Sequence, residues 1–235
     1  MPAQGQLGRS AGDITGMPSS VDDIHAVIRN EIITLRLMPG VKVSENELAR
    51  RFNTSRTPVR EALLRLVDEG LVKVWPQRGT LITPISLSAV RRARFVREAI
   101  EVAVFRKAAI DGLSPEVLAQ LDAIIEQQHA VRDEPVRFTE ADDAFHHAFA
   151  NGIAVGDIWA VLEREKAQFD RLRFLSLPNV TPVAVLIDQH RHMIATVRAR
   201  DPEAAEKAVR DHLSEVLKVT EQLSARYPDL IINDT

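Results

Sequence analysis

"NTSRTPVREALLRLVDEG", residues 53–70, decides the fold of this chain, because it predicts a helix whose first turns are crowded with arginine. Thr57 is the expected N-cap of that helix, Pro58 suits its first position, and Gly70 is a usual C-terminal stop. The helix dipole disfavours positive charge at a helix start. Arginines placed there therefore indicate a helix end that contacts anions and hydrogen-bond acceptors.

The sequence around this helix predicts a winged helix-turn-helix domain over residues 21–84. Apolar residues at helical spacing predict a first helix over 21–37, and "SENELARRF" predicts a short second helix. Ser44 and Glu47 have the spacing of a capping box at the start of that second helix. After Gly70, "LVKVW", "PQRG" and "TLIT" predict two short strands around a tight turn, which would form the wing.

Four side chains at the start of the third helix are candidates for contact with double-stranded DNA. In a helix-turn-helix, the second helix of the pair enters the major groove by its N-terminal end. Arg56 and Arg60 are four residues apart and share one face, and the arginine fork matches the O6 and N7 atoms of guanine. The hydroxyl groups of Ser55 and Thr57 suit phosphate. The alternative is a solvated helix in which Arg60 pairs with nearby acidic residues.

The hairpin tip and the distribution of charge point to the same partner. Arg78 suits a narrow groove, and Gly79 lets the backbone approach sugar and phosphate closely. The whole chain has a net charge of −3, but residues 21–85 hold ten Lys/Arg against eight Asp/Glu, a net of +2. The N-terminal part is therefore the better candidate for a polyanionic partner.

Composition excludes several classes of protein. The chain has 235 residues, 45% hydrophobic and 27% charged, which is ordinary for a globular protein and long enough for two modest domains. No apolar run approaches the roughly 18 residues of a membrane span. Residues 1–20 lack the apolar core of a secretory signal and predict a disordered tail. The absence of cysteine excludes disulfides and thiolate chemistry and fits a cytoplasmic protein.

After Pro84 the sequence predicts helices only. Glycine and proline fall mainly between the helical segments, which are "SLSAVRRARFVREAIEVAVFRKAAI", "PEVLAQLDAIIEQQHAV", 136–151, "DIWAVLEREKAQFDRLRFL", 182–200 and 202–226. We therefore expect a mainly α protein, with the winged helix-turn-helix followed by an all-α antiparallel bundle over 85–228. Residues 229–235 are expected to form a C-terminal tail.

Three of the seven histidines lie on otherwise apolar helical faces of this bundle: His146, His190 and His212. Asp142 precedes His146 by four residues, so these two side chains project side by side. An unpaired buried carboxylate is costly, so Asp142 needs a partner, and a divalent cation would serve. Three imidazoles and one carboxylate suit Zn, Ni, Mn or Fe better than Mg or Ca. The alternative is a set of core histidines hydrogen-bonded to Asp142 and to backbone carbonyls. The polar faces carry His129, His147 and His192.

The N-terminal pattern resembles the DNA-binding domain of the GntR family of bacterial transcription regulators. "VSENELARRFNTSRTPVREALLRLVDEGLVKVWPQRGTLI" carries the resemblance, which extends over nearly all of residues 21–83, and "SRTPVREAL" is its most specific part. The resemblance implies a homodimer whose two winged helices bind a palindromic operator, with Arg56, Arg60 and the Gly79 wing at the DNA. Some members have a basic residue where this chain has Asn46.

The C-terminal part resembles the helical effector domain, called FCD, of the FadR subfamily. "DDAFHHAFA" matches its D-x-x-x-H segment at Asp142 and His146, "HRHMIATVRARDPEAA" places His190 in the next histidine position, and "AVRDHL" supplies His212. In metal-binding members these four positions hold the metal. The resemblance therefore implies a divalent transition metal, with zinc expected first and nickel, manganese or iron as alternatives.

The first helix of the effector domain is matched by "RFVREAIEVA", with Arg97 and Glu101 in place. Arg97 could hold a ligand carboxylate through two parallel hydrogen bonds, or it could form a salt bridge within the bundle. Arg171 and Arg173 are candidates of the same kind. The expected effector is a small organic or sugar acid bound at or near the metal.

These patterns together predict a DNA-binding regulator, most simply a repressor, whose operator affinity is controlled by the effector. Activation instead of repression stays open. One alternative is a metal-dependent, hydrolase-like activity, because three histidines and a carboxylate with an open coordination position can activate water. Another alternative is a regulator whose metal is purely structural or is itself the sensed species.

Overall fold

A computed structural model of the protein describes residues 20–77, 79–177 and 179–234. The predicted N-terminal tail, apart from Ser20, and the predicted DNA contact Arg78 lie outside the described residues. Within them, the chain forms a small N-terminal unit with a three-stranded sheet, followed by a larger helical unit. The predicted fold class, mainly α with a winged helix-turn-helix followed by a helical bundle, is confirmed.

The N-terminal unit contains the predicted three helices and hairpin together with one unpredicted strand. Its elements are α1 (Val21–Ile33), β1 (Lys42–Val43), α2 (Glu45–Arg51), α3 (Arg56–Asp68), β2 (Val72–Trp75) and β3 (Gly79–Ile82). Strand β3 lies in the middle of the sheet and pairs antiparallel with both β1 and β2. The two residues of β1 are too few to give a strand pattern in the sequence.

The helix starts differ from the prediction at two places. The N-cap of α3 is Ser55, in extended conformation, and not Thr57, so Pro58 occupies the third helical position. This earlier start is allowed because amides in the first turn have no acceptor within the helix, and proline is tolerated there. Ser44 is the N-cap of α2 as predicted, but its side chain makes no capping hydrogen bond, so the expected capping box is not formed.

The helical unit follows directly after a short strand at the junction. Its elements are β4 (Ile85–Ser86), α4 (Leu87–Asp111), α5 (Pro115–Ala130), α6 (Pro135–Gly152), a 3-10 turn (Gly156–Ile158), α7 (Trp159–Glu165), α8 (Ala167–Ser176), α9 (Val183–Arg198), α10 (Pro202–Lys218), α11 (Thr220–Arg226) and β5 (Ile231–Ile232). Two of the six predicted helical segments are each divided in two, one at Lys166 and the other at Val219. No described helix is long and apolar enough to cross a bilayer.

The core of the helical unit lies between α4, α5, α6, α9 and α10, with α4 packed along α10 and α5 along α6. Phenylalanines fill its centre, and the fully buried ones are Phe105, Phe138, Phe145 and Phe149. Asp142 and His146 lie on the same buried face of α6 as three of these rings. The apolar stripes recognised in the sequence are therefore the inward faces of the bundle.

The C-terminal residues do not form the predicted tail. Strand β5 pairs parallel with β4, with Ile231 opposite Ile85, and Ile231 is buried. The Asp234 carboxylate accepts hydrogen bonds from the Ser88 amide at 3.0 Å and the Ser86 hydroxyl at 2.7 Å. Two consecutive isoleucines gave no readable strand signal, because strand assignment from sequence needs a longer alternating run.

Candidate metal centre and nucleic-acid interface

Asp142, His146, His190 and His212 form one buried cluster in the middle of the helical unit. Helix α6 supplies the first two, α9 supplies His190 and α10 supplies His212. One ligand atom from each lies within 4.8 Å of all the others. The Nε2 atom of His212 lies 3.2 Å from that of His146 and 3.3 Å from that of His190. The structure thus brings together all four residues that the sequence singled out as metal ligands.

Each histidine of the cluster has a side-chain oxygen within 3.0 Å of its Nδ1 atom. Nδ1 of His146 lies 2.7 Å from a carboxylate oxygen of Glu101. The side-chain carbonyls of Gln128 and Gln189 lie 2.8 Å and 3.0 Å from Nδ1 of His190 and His212. For His190 and His212 the carbonyl acceptor favours a proton on Nδ1 and leaves the Nε2 lone pair directed into the cluster, which is the arrangement found around metal-binding histidines.

The two glutamines were missed by the sequence analysis. Gln128 is fully buried and shares its helical face with Leu121, Ile124 and Ile125, so a lone amide on an apolar stripe was a usable signal. Gln189 is only half-buried and gave none. Of the histidines predicted on polar faces, His192 is exposed and His129 and His147 are half-buried, and none belongs to the cluster.

Charge and burial set the protonation states of the cluster. Burial raises the pKa of Asp142, but Arg173 and the three histidines outweigh burial and hold this pKa well below its ordinary value. Burial lowers the pKa of His190 to about 3, and it also holds the pKa of His212 well below its usual value. At neutral pH the cluster therefore offers an ionised carboxylate and neutral His190 and His212, the states that bind a metal ion.

Two buried arginines flank the cluster. Nη2 of Arg173 lies 2.7 Å from Oδ2 of Asp142, and Nε of Arg97 donates to Glu101 at 2.6 Å. Burial raises the pKa of Glu101, but Arg97 and His146 outweigh it and lower the pKa to about 2. The salt-bridge alternative for Arg97 is thus realised, while its buried Nη2 atom has no hydrogen-bond partner within the described part of the chain.

Arg171 is not part of this arrangement, which corrects its grouping with the other predicted effector residues. It lies on a different face of α8, and its guanidinium donates to the backbone carbonyls of Thr83 and Pro84 at the junction of the two units. Because Arg171 and Arg173 are two residues apart on one helix, their side chains point in widely different directions.

A small cavity adjoins the cluster, with a volume of about 30 Å³. Its polar lining comprises Arg97, Asp142, Arg173, Ser176, Thr181, His212 and Glu215. This volume is enough for one or two water molecules.

The start of α3 is exposed, as a groove-entering helix requires. Ser55, Arg56, Thr57 and Arg60 are all exposed. Nη2 of Arg56 lies 2.8 Å from Oε2 of Glu45 in α2, whereas Arg60 makes no ion pair with any described residue. The solvated alternative, in which Arg60 pairs with an acidic neighbour, is therefore not observed.

An open concavity next to this helix start adds residues that the sequence analysis did not select. It is lined by Asn46, Ala49, Arg50, Asn53, Thr54 and Ser55. In the wing, Gly79 has a φ of +91°, and a Cβ added there would lie 2.8 Å from Cε of Lys42. The positive φ favours glycine at this position, and the end of the Lys42 side chain lies beside it.

Comparisons with known proteins identify the families of both parts of the chain. Residues 21–82 match the family described as "Bacterial regulatory proteins, gntR family", and residues 93–215 match the "FCD domain". A relative named "HTH-type transcriptional repressor RspR", from Escherichia coli K12, is 35% identical over 208 residues, which cover 88% of this chain and 91% of the relative.

Solved structures show the same fold. "E. coli McbR/YncC" aligns with a TM-score of 0.69 and 18% identity, covering 88% of this chain and 98% of the other. A putative GntR transcriptional regulator from Rhodococcus sp. RHA1 aligns with a TM-score of 0.67 and 20% identity, with the same coverages of 88% and 98%. At these identities the likeness concerns the fold alone.

Proposed function

Because this chain belongs to the GntR family of bacterial transcription regulators and has an FCD domain as its second part, we propose that it is a repressor controlled by a small carboxylate. The carboxylate would bind at or near a transition-metal ion in the helical unit and change the affinity for operator DNA. The observation that carries this proposal is the buried Asp142–His146–His190–His212 cluster.

Metal binding is favoured over a purely hydrogen-bonded core. Asp142 lies 3.5 Å from Nε2 of His190 and 3.9 Å from Nε2 of His146, too far for good hydrogen bonds. The Nε2 atoms converge instead on a common point. We propose zinc as the metal, with nickel, manganese or iron as alternatives, because imidazole and carboxylate ligands suit these ions. When bound, the ion would supply a Lewis-acidic coordination position.

An anionic effector fits the charges around the cluster. Arg97 and Arg173 both lie at the cluster, and a divalent cation would add further positive charge there. A carboxylate on the metal would offset this charge, and the Nη2 atom of Arg97, which has no hydrogen-bond partner among the described residues, is a donor suited to one of its oxygens. We therefore propose an organic or sugar acid as effector, with Arg97 and Arg173 as its contacts.

On the DNA side, we propose a homodimer that presents two copies of α3 to a palindromic operator in the cytoplasm. Ser55, Arg56, Thr57 and Arg60 would enter the major groove, and the wing with Arg78 and Gly79 would contact the adjacent backbone and minor groove. Support comes from the exposure of the α3 start and from the relative at 35% identity, which is named a repressor.

The enzymatic alternative is set aside, because the matched families and relatives are transcription regulators and not enzymes. A second candidate function has one observation in its favour. All four cluster residues are buried, and closed sites of this kind suit a metal that is structural or that is itself the signal.

Operator binding by metal-stripped and zinc-loaded protein tests these proposals. Duplexes selected from a random library by the full-length protein would serve as the probe, and a panel of carboxylates and sugar acids would be titrated. We expect one panel member to weaken operator binding by zinc-loaded protein between about 5-fold and 150-fold, the usual range of allosteric coupling. If stripping changes neither the affinity nor the response, the metal-dependent sensing is wrong. If zinc alone changes the affinity for operator DNA and no panel member has an effect, the result would support the alternative in which the metal is itself the signal.

A further inference from the structure

Arg171 is a fully buried guanidinium that has no carboxylate partner among the described residues. Nη2 donates to the Thr83 carbonyl at 2.7 Å, and Nη1 donates to Gln168 Oε1 at 3.0 Å and approaches the Pro84 carbonyl at 3.5 Å. Burial lowers its pKa to about 10. Keeping an unpaired charge out of water is costly, so the hydrogen bonds that Arg171 makes to these carbonyl oxygens offset part of its burial cost.

The acceptors of Arg171 belong to the segment that joins the two units. Thr83 and Pro84 follow the last strand of the N-terminal sheet and precede β4. The following residues are held by the C-terminal segment: the Ile85 amide donates to the Leu230 carbonyl at 2.8 Å, and Ser86 pairs with Ile232. The Asp234 carboxylate accepts the Ser88 amide. The junction thus forms hydrogen bonds with α8 at residues 83–84 and with residues 230–234 at residues 85–88.

Helix α8 and residues 230–234 are both connected to the metal cluster. Arg173, two residues after Arg171 on α8, pairs with Asp142. The C-terminal segment follows α10 and α11, and α10 carries His212. Helix α8 also contacts the N-terminal unit directly. Ala167 packs in the core of the N-terminal unit, and the Gln168 side-chain amide donates to the Gly70 carbonyl at 3.4 Å. A movement of α8 or α10 therefore acts on the junction.

We propose that Arg171 and residues 230–234 form a linker clamp that fixes the orientation of the winged helix relative to the helical unit and transmits the state of the metal cluster to it. Arg171 is a positioning residue here and touches neither DNA nor effector. The role of the linker clamp in regulating DNA binding rests on the proposed function. Its effect on the structure of the junction can be tested without DNA.

The mechanical test is amide hydrogen exchange on the full chain. In the wild type we expect residues 83–88 to be protected, and zinc chloride added to stripped protein should change that protection. In Arg171→Met, exchange in 83–88 should be at least about tenfold faster, as expected for losing hydrogen bonds to a charged group, and should no longer respond to zinc. Zinc content and exchange in α5 and α6 should stay as in the wild type. Arg132→Met, an exposed residue that pairs only with Asp133, is the matched control.

The DNA test uses a selected operator and versions with one base pair added or removed between half-sites. Adding or removing one base pair rotates one half-site relative to the other by about a tenth of a helical turn and also shifts it along the DNA axis. The wild type should therefore discriminate among spacings, whereas Arg171→Met should lose most of that discrimination while binding a single half-site duplex as the wild type does. A merely structural role would weaken all these duplexes together and would support no clamp.

A second variant keeps the proposal decidable if Arg171→Met fails to fold. Asp234→Asn removes the charge that caps α4 and should loosen residues 85–88 without touching the buried core, and Asp229→Asn, exposed nearby, is its control. If both variants keep wild-type exchange and spacing discrimination, the clamp is wrong. If the wild type selects no DNA at all, the proposed operator binding fails, and the exchange experiment still decides the clamp.

Discussion

Arg173 on α8 pairs with the carboxylate of Asp142 on α6, with Nη2 at 2.7 Å from Oδ2. The one acidic residue of the candidate metal cluster is thus already neutralised by a side chain from another helix. A metal ion at the cluster would share this carboxylate with Arg173. Metal occupancy and the position of α8 are therefore expected to influence each other, since such coupling is reciprocal.

Asp142→Asn should destabilise the metal-free protein and abolish metal binding. The substitution leaves the buried Arg173 guanidinium without its closest carboxylate, and breaking a buried pair in this way costs about 3 kcal/mol. Urea unfolding of stripped protein and zinc content measure the two effects. Asp188→Asn on the exposed face of α9 is the control. Unchanged unfolding would mean that the pair contributes nothing to stability.

The metal-free protein should lose stability as the pH falls below about 6.5, the ordinary value for histidine. In the folded state burial lowers the pKa of His190 to about 3, so between these two values the unfolded chain binds a proton that the folded chain does not. Stability is therefore complete above the window and falls with pH inside it. Thermal unfolding at a series of pH values measures this slope, which His190→Asn should reduce. His192→Asn, an exposed neighbour, should leave the slope intact.

Gln128→Ala should weaken zinc binding by about 10-fold to 100-fold, the usual effect of removing a hydrogen-bond partner of a metal ligand. The reason is that Nδ1 of His190 loses its acceptor at 2.8 Å, so the ring is no longer held with Nε2 toward the cluster. Competition with a chromophoric chelator measures the affinity. Gln127→Ala, the exposed neighbour on α5, should behave as the wild type. Equal zinc affinities for both variants would mean that Gln128 does not support the metal site.

Arg60→Ala should abolish the preference for the selected operator while leaving zinc content unchanged. A bidentate contact to a base contributes about 1–3 kcal/mol of discrimination, and Arg60 is exposed at the start of α3, where such a contact would be made. Fluorescence anisotropy with operator and scrambled duplexes measures the preference. Arg132→Ala in the helical unit provides a control of equal charge change. A loss of zinc in Arg60→Ala would contradict the separation of DNA and metal sites.

Much of the fold followed from periodicity and a few strong local signals. The apolar stripes of α6, α9 and α10 put Asp142, His146, His190 and His212 on inward faces, while their assignment to one metal site came from the resemblance to the FCD domain. The wing was predictable because a tight turn separates two short runs of strand-forming residues. The GntR and FCD families inferred from these segments are confirmed by the matches over 21–82 and 93–215.

The remaining features depend on contacts between distant segments. Arg171 was grouped with Arg97 and Arg173 because sequence shows residue type and helical phase, but not which neighbour a helix face meets. The start of α3 at Ser55 instead of Thr57 and the unpredicted strand β1 are both short-range details that the surrounding packing decides. The pairing of Ile231 with Ile85 has no local signature at all.

The contact between Ser88 and Asp234 joins positions 146 residues apart in sequence. Such a contact can form only after the helices between them have folded, because its loop-closure entropy is otherwise uncompensated. During synthesis the winged helix can therefore fold first, while its orientation is settled only when residues 230–234 have joined the junction. A chain interrupted shortly before these residues would keep the proposed DNA-binding surface and lose the proposed linker clamp.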